Sequence, residues 1–198
     1  IAQELCDLVA RWRQYGPRPI TEERLRAWLD QFDTNQDKRL MFQLLSSLRF
    51  YNEQLVREKL AMAMATIRKK SVERRAHGEK KRRDVLVTYL GEVGKSGTQY
   101  ARLFCQVNNI LAQNVFSQTD FVERYMKTFS EFSAIVAVDD LLGTGESVAG
   151  ALDEVNSRMG AQLRNEKVPL FIVAICGFET AITRVQDKIA ELRLPVEL

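Results

Sequence analysis

Three short apolar runs, each continuous and rich in valine and isoleucine, constrain the fold more than any other feature of this sequence. They occupy residues 84–90 (DVLVTYL), 134–138 (AIVAV) and 170–176 (LFIVAIC). Runs of this length and composition indicate strands that are buried on both faces. A helical pattern follows each run, over residues 98–113, 147–163 and 179–192. Because strands that alternate with helices build parallel sheets, we predict an α/β fold with a parallel, Rossmann-like sheet.

The sequence before the first predicted strand is helical. Leu5, Leu8 and Trp12 recur at helical spacing, and Thr21 is expected to cap a further helix after a glycine-proline break. We therefore predict a helical N-terminal region over residues 1–83 and an α/β core over residues 84–198. The sequence stops where a new strand could begin, so we expect the core to be incomplete at its C-terminus.

The composition is that of a soluble globular protein. Hydrophobic residues make up 45% and charged residues 28% of the 198 residues, and no apolar run has the length of about 18 residues that a membrane span needs. Three cysteines lie far apart, and the single histidine, His77, lies in a charged segment, so no zinc site is predicted. Unpaired cysteines fit a reducing compartment, and we expect a cytoplasmic protein without membrane contact.

Positive charge is concentrated in one segment, residues 68–83, which we call the basic segment. It carries a net charge of +7, although the whole chain carries only +3. Such a cluster can neutralise nucleic-acid phosphates, or it can be a solvated helix end or linker. Its candidate contacts for a nucleic acid are Arg68, Lys69, Lys70, Arg74, Arg75, Lys80, Lys81, Arg82 and Arg83.

Two of the three predicted strands end in glycine-rich loops, where ligands bind in open α/β sheets. The first loop has the sequence GEVGKSGT over residues 91–98. Its glycines let backbone amides approach a phosphate, Lys95 adds a positive charge, and the next helix begins there. We predict an anion site formed by Gly94, Lys95, Ser96 and Gly97.

The second loop has the sequence DDLLGTGES over residues 139–147. The carboxylates of Asp139 and Asp140 can accept hydrogen bonds from vicinal hydroxyls or help to hold a divalent cation. The residues after them supply amides and hydroxyls at the start of a helix, which favours phosphate binding. The predicted ligands of this phosphate are Gly143, Thr144, Gly145 and Ser147.

Two nucleotide-binding motifs compete with this interpretation. Gly94-Lys95-Ser96 resembles the end of a P-loop, but that motif requires glycine at position 89, where Tyr89 stands. The dinucleotide fingerprint fails because Val148 occupies the position of its third glycine. A P-loop ATPase therefore remains an alternative only in degenerate form.

The run from Ile135 to Val138, the two aspartates and the Gly143-Thr144-Gly145 turn resemble the signature of type I phosphoribosyltransferases. The resemblance implies that Asp139 and Asp140 contact the ribose hydroxyls of phosphoribosyl pyrophosphate. It also implies that the turn binds the 5-phosphate, and that the first loop binds the pyrophosphate with Lys95. Mg²⁺ is the implied cofactor, with the two aspartates as its candidate ligands, and Lys95, Asp139 and Asp140 are the implied catalytic residues.

A wider pattern adds WLDQFD over residues 28–33, LLSSLRFY over residues 44–51 and CGFETAI over residues 176–182. With the two loops, it resembles the phosphoribosyltransferase-like effectors of bacterial conflict and retron-type antiphage systems. This resemblance implies a reverse transcriptase and its nucleic acid as partners. It leaves open whether the protein turns over its ligand or is a non-catalytic module that senses a nucleotide or docks a partner.

Overall fold

The computed structural model describes residues 2–12, 20–71, 81–89, 96–128 and 131–198. The chain divides into two compact units, Ile1–Val56 and Arg57–Leu198. The domain boundary predicted from the sequence, between residues 83 and 84, stays a prediction. No helix in the described ranges combines the length and the apolar character needed to cross a lipid bilayer.

The first unit contains three helices, α1 (Ala2–Arg11), α2 (Glu22–Leu29) and α3 (Asn35–Ser47). Two threonines cap them: Thr21 accepts a hydrogen bond from the amide of Arg24 at 3.3 Å, and Thr34 accepts one from Asp37 at 3.1 Å. Their apolar faces meet in one cluster of buried side chains. The cluster consists of Leu5, Leu8, Trp12, Leu25, Leu29 and Leu45.

Helix α3 packs only one of its leucines into this cluster. Leu45 is buried, whereas three other leucines of α3 and its C-terminal end are about half exposed. They are Leu40, Leu44 and Leu48. These three lie four residues apart and form one exposed stripe along α3 and its end, because the helix buries only the side that carries Leu45.

Helix α4 (Glu53–Lys70) crosses the division between the units. The elements after it alternate between strand and helix. In chain order they are β1 (Val85–Tyr89), α5 (Ser96–Val107), a short 3-10 helix (Ala112–Asn114), β2 (Val115–Phe116), α6 (Gln118–Thr128), β3 (Ala134–Leu142), α7 (Glu146–Glu166), β4 (Leu170–Gly177), α8 (Glu179–Leu192) and β5 (Val196–Glu197).

The five strands form one parallel sheet in the order β2-β1-β3-β4-β5. The predicted α/β fold with a parallel sheet is therefore confirmed. In this order the chain places β2 on one side of β1 and all later strands on the other, so the topology reverses between β1 and β3. Sheets of this order bind ligands outside the carboxyl ends of the strands at the reversal point.

The sequence missed β2 and α6, indicated only that a strand could begin near the position of β5, and extended the helix after β1 too far. That helix was predicted to reach residue 113, but α5 ends at Val107. Asn108 ends it, since its side-chain amide donates to the carbonyl of Phe104 at 3.0 Å and to that of Leu60 at 3.2 Å. Asn109 then takes a left-handed conformation with φ of 54°, which a helix cannot continue through.

The amino ends of β1 and β3 are joined by a buried polar cluster. Arg82 donates from Nε and Nη2 to the two carboxylate oxygens of Asp84, at 2.9 and 2.8 Å. The hydroxyl of Ser133 donates to Asp84 Oδ2 at 2.7 Å, and the Ser133 amide donates to the Asp84 carbonyl at 2.7 Å. All three side chains are buried. The two hydrogen bonds from Ser133 join the strands at the amino edge of the sheet, and the buried bidentate pair with Arg82 holds the Asp84 carboxylate in place.

Candidate functional site

The acidic pair lies in the carboxyl-terminal part of the central strand. β3 was predicted to end at Val138, but it continues to Leu142. Within the described residues its pairing with β1 reaches the pair of Tyr89 and Val138, and its pairing with β4 continues to the pair of Leu142 and Gly177. Asp139 and Asp140 are therefore strand residues rather than loop residues. The apolar run could not predict this extension of β3. The acidic residues belong to the strand because their backbone pairs with β4, and an apolar pattern does not reveal that pairing.

Asp139 is a half-buried carboxyl group with a shifted pKa. Its Oδ1 accepts a hydrogen bond from the backbone amide of Asp140 at 2.9 Å. Burial raises its pKa to about 6, and the adjacent Asp140 carboxyl adds to the rise, although the amide hydrogen bond opposes it. The side chain is thus ionised above pH 6, but a cation or a set of hydroxyl donors would stabilise that charge.

Asp140 has the same local hydrogen bond one residue further on. Its Oδ1 accepts from the amide of Leu141 at 2.9 Å, and its side chain is also half buried. No described Lys, Arg or His forms an ion pair with either aspartate. Two adjacent carboxylates therefore meet the space outside the reversal point of the sheet without a described counter-charge.

The carboxylates fit Mg²⁺ as partial ligands. In the part of the chain that the structure describes, no group of three or more His, Cys, Asp or Glu side chains could hold a metal by itself. Mg²⁺ is usually held by one or two carboxylates together with waters and ligand phosphates. The donor set of Asp139 and Asp140 suits that mode and not a closed protein cage.

The glycine turn that follows is shaped by its neighbours on α8. Gly145 has φ of 78° and is the N-cap residue of α7. A Cβ atom at Gly145 would lie 2.9 Å from the carbonyl oxygen of Ala181. Gly143, by contrast, is exposed and has open space where a Cβ atom would be. Only the second glycine is therefore required by the fold of the described residues.

The turn presents hydrogen-bond donors at a helix N-terminus. Thr144 and Ser147 are exposed, and the Thr144 hydroxyl accepts from the amide of Glu146 at 3.4 Å. The 21-residue helix α7 begins directly after Gly145. Unpaired amides and the helix dipole at such a start attract anions. Gly143, Thr144, Gly145 and Ser147 are thus brought together beside the two carboxylates.

The predicted pyrophosphate loop is described only in part. Gly94 and Lys95 lie outside the described residues, so their predicted roles stay predictions. Ser96 and Gly97 are the first residues of α5, where Ser96 is exposed and Gly97 is buried. The described part of β1 ends at Tyr89, which pairs with Val138 of β3. The described ends of β1 and β3, which the two predicted loops follow in sequence, thus lie side by side at the reversal point of the sheet.

The basic segment needs a correction at one position. Arg82 was predicted to contact nucleic acid, but its side chain is buried and paired with Asp84, so it cannot reach a phosphate group outside the protein. Lys81 and Arg83 are exposed, as are the three basic residues at the end of α4. Those three are Arg68, Lys69 and Lys70, of which Lys70 pairs with Glu197. Arg74, Arg75 and Lys80 lie outside the described residues.

A groove of about 470 Å³ runs along β4 and ends near the acidic pair. Cys176 lines it and donates from Sγ to the carbonyl of Asp140 at 3.6 Å. Burial raises the pKa of the Cys176 thiol, and the charge of Asp140 adds to the rise, which favours the protonated thiol. This groove could not be predicted from the sequence, because its walls come from α4, β4 and α8, which lie far apart in the chain.

Arg184 was also missed by sequence reasoning. It lies on α8, and its Nη1 is 2.9 Å from Oε1 of Glu146, the first residue after the glycine turn. The two residues are 38 positions apart in the chain. No local spacing rule relates residues this distant, so only the packing of α8 against α7 reveals the contact.

Comparison with known proteins agrees with this architecture. The model of a phosphoribosyltransferase-like family, PRTase-CE, matches residues 25–197 of the chain. No curated protein and no solved structure matches it. The family match covers β1 to β5, and with them the acidic pair and the glycine turn.

Proposed function

The chain belongs to the PRTase-CE family, and on that premise we propose that it binds phosphoribosyl pyrophosphate or a related ribose 5-phosphate ligand. One observation supports this ligand most strongly. Asp139 and Asp140 directly follow Val138, which pairs with Tyr89 at the described end of β1, and the glycine turn before α7 comes shortly after them. Acceptors for sugar hydroxyls and donors for a phosphate thus stand side by side at the reversal point of the sheet.

In the proposed complex, each part of the ligand meets groups of suitable chemistry. The two carboxylates accept hydrogen bonds from the ribose 2′ and 3′ hydroxyls. The amides of residues 143–147, with the hydroxyls of Thr144 and Ser147, donate to the 5-phosphate. Since the pKa of Asp139 is raised to about 6, the affinity for the ribose should fall as the pH drops below 6.

We propose that Mg²⁺ accompanies the pyrophosphate. Asp139 and Asp140 would hold the ion together with oxygens of the ligand, and the ion would neutralise charge on a departing pyrophosphate. Lys95 would add a further positive charge, with the amides of Gly94, Ser96 and Gly97. The protein's own contribution would be to bind and orient the ligand and to keep water from its reactive carbon.

Turnover requires an acceptor, and the groove beside Cys176 is the space we assign to it. Its volume of about 470 Å³ falls in the range of small-molecule sites. If the protein is instead a sensor or docking module of the same fold, phosphoribosyl pyrophosphate binds at the acidic pair and the glycine turn, and no pyrophosphate is released. A pyrophosphate-release assay over a panel of nucleobases and nucleosides distinguishes the two.

We further propose a role as an effector of bacterial antiphage defence of the retron type, in the cytoplasm, with a reverse transcriptase and its nucleic acid as partners. The sequence resemblance supports this role, and the exposed cations of the basic segment are suitable contacts. A gel shift with single-stranded nucleic acid at rising salt tests the contact. Arg68→Ala with Lys69→Ala and Lys81→Ala should weaken the shift, and an unchanged shift would contradict the contact.

Isothermal titration with phosphoribosyl pyrophosphate and Mg²⁺ tests the ligand. We expect saturable binding by the unmodified chain, and loss of binding when Asp139→Asn and Asp140→Asn are combined. Asp187→Asn, an exposed carboxylate on α8, is the matched control and should bind as the unmodified chain does. Tight binding of ATP without binding of phosphoribosyl pyrophosphate would contradict the proposal and favour a degenerate P-loop ATPase.

A further inference from the structure

Two ion pairs join α8 to α7, and one of them lies at the glycine turn. Arg184 Nη1 is 2.9 Å from Glu146 Oε1, and Lys188 Nζ is 3.1 Å from Asp153 Oδ1. Arg184 and Lys188 are four residues apart on α8, while Glu146 and Asp153 are seven apart on α7, so each pair of residues shares one helix face. The two contacts are alike in geometry and differ in their distance from the turn.

Glu146 is an unexpected residue for a phosphate turn. It is the first residue of α7, between Gly145 and Ser147 in the predicted phosphate-binding set. A carboxylate is favourable at the start of a helix, because the dipole there is positive. A phosphate that bound the amides of the same turn would be repelled by it, unless a cation neutralised the carboxylate.

Arg184 is placed to supply that cation. Helix α8 packs directly against the turn, since a Cβ atom at Gly145 would lie 2.9 Å from the Ala181 carbonyl and 3.4 Å from Cγ2 of Val185. Arg184 lies between these two residues in sequence, and its side chain is 49% exposed. A guanidinium group has five N–H donors, and the hydrogen bond of Arg184 to a described residue uses one nitrogen, Nη1.

We infer that Arg184 is a phosphate-binding residue of this site, held against the turn by Glu146 and selective for ligands that carry a 5-phosphate monoester. The inference rests on the proposed function, because it needs a ribose phosphate at the turn. In the bound state the guanidinium bridges the Glu146 carboxylate and the phosphate, using the planar donor fork that suits both groups. Lys188 has no such role: it joins the helices through Asp153 and also pairs with Glu191 on α8.

Titration calorimetry with ribose 5-phosphate, and with ribose as the unphosphorylated probe, tests the inference. Arg184→Ala should weaken binding of ribose 5-phosphate by about tenfold or more, as expected for loss of a charged hydrogen bond. Lys188→Ala should change it less than about twofold, although it loses two ion pairs, with Asp153 and Glu191, whereas Arg184→Ala loses one. Both variants should show only small changes in melting temperature. Ribose should bind the unmodified chain and Arg184→Ala with the same affinity.

The combination of Glu146→Gln with Arg184→Ala separates contact from neutralisation. If Arg184 touches the phosphate, the double variant regains only part of the affinity that Arg184→Ala loses, because the Glu146 charge is gone but the contact is still missing. Recovery of full affinity in the double variant would show that Arg184 only neutralises Glu146, and would overturn the inference. Equal affinity of the unmodified chain and Arg184→Ala would overturn the inference alone, whereas no binding by the unmodified chain would overturn the proposed function as well.

Discussion

The two edges of the sheet carry acidic groups in opposite environments. At the amino edge, Asp84 is 3% exposed and forms a bidentate pair with Arg82. At the carboxyl edge, Asp139 and Asp140 are half buried and have no ion pair with a described cation, and burial raises the pKa of Asp139. A neutralised carboxylate stabilises the fold, whereas carboxylates that the fold leaves without a counter-charge are suited to bind a ligand.

Asp84→Asn should have the largest effect on stability. It leaves the buried Arg82 guanidinium without its counter-charge, and we expect a loss of about 3–5 kcal/mol in the free energy of unfolding. Urea denaturation measures it. The double variant Arg82→Met with Asp84→Leu should lose less than Asp84→Asn alone, because it leaves no buried charge. A loss below about 1 kcal/mol for Asp84→Asn would show that the amino-edge cluster is not a structural clamp.

At the carboxyl edge, alanine substitutions of the two glycines of the turn should differ in their effect on stability. Gly145→Ala places a Cβ atom 2.9 Å from a backbone oxygen at φ of 78°, so we expect a loss of about 1–2 kcal/mol or more. Gly143→Ala enters open space and should change stability by less than about 0.5 kcal/mol. Thermal and urea unfolding of both variants check this. Equal losses would contradict the close approach of α8 to Gly145.

Asp139→Asn should change stability less than Asp84→Asn or Gly145→Ala, and its sign should be opposite to that of Asp84→Asn. The folded state raises the pKa of Asp139 from 3.8 to about 6, so the proton stabilises the fold fully below pH 3.8, and this stabilisation is lost as the pH rises through 6. Asparagine cannot ionise. Above pH 7 the variant should therefore be more stable than the unmodified chain, by about 1 kcal/mol once partial solvent exposure is allowed for.

The pH dependence of that difference is its check. Urea unfolding at several pH values should show the gain of Asp139→Asn shrinking from pH 7 and vanishing below pH 4, while Asp187→Asn shows no such trend. A variant that is less stable at pH 7 would mean that the Asp139 carboxylate is already neutralised within the protein.

The sequence predicted the three central strands of the sheet better than its two outermost strands. The apolar runs predicted β1, β3 and β4, because strands that are buried on both faces are nearly continuous runs of apolar residues. The two-residue strands β2 and β5 carry no such pattern, since they pair with the central strands at one side only. α5 was predicted too long because its end depends on Asn108 contacting Leu60, a residue 48 positions away.

The candidate site shows the same limit. The order of acidic pair and glycine turn was readable, because a strand, a turn and a helix are consecutive in the chain. The extension of β3 to Leu142 depends on pairing with β4, and the contact of Arg184 with Glu146 depends on how α8 packs. The burial of Arg82 could likewise not be predicted from a run of basic residues. Its partner, Asp84, was assigned to the first strand, so no ion pair between the two was expected.

Amide chemical-shift mapping with ribose 5-phosphate tests the central claim most directly, because it reports both edges of the sheet in one experiment. We predict that saturating ligand shifts the amides of Asp139 to Ser147 and leaves those of Arg82 to Asp84 unchanged. Shifts confined to other surfaces, or no shifts at millimolar ligand, would contradict the assignment of the carboxyl edge as a ribose 5-phosphate site.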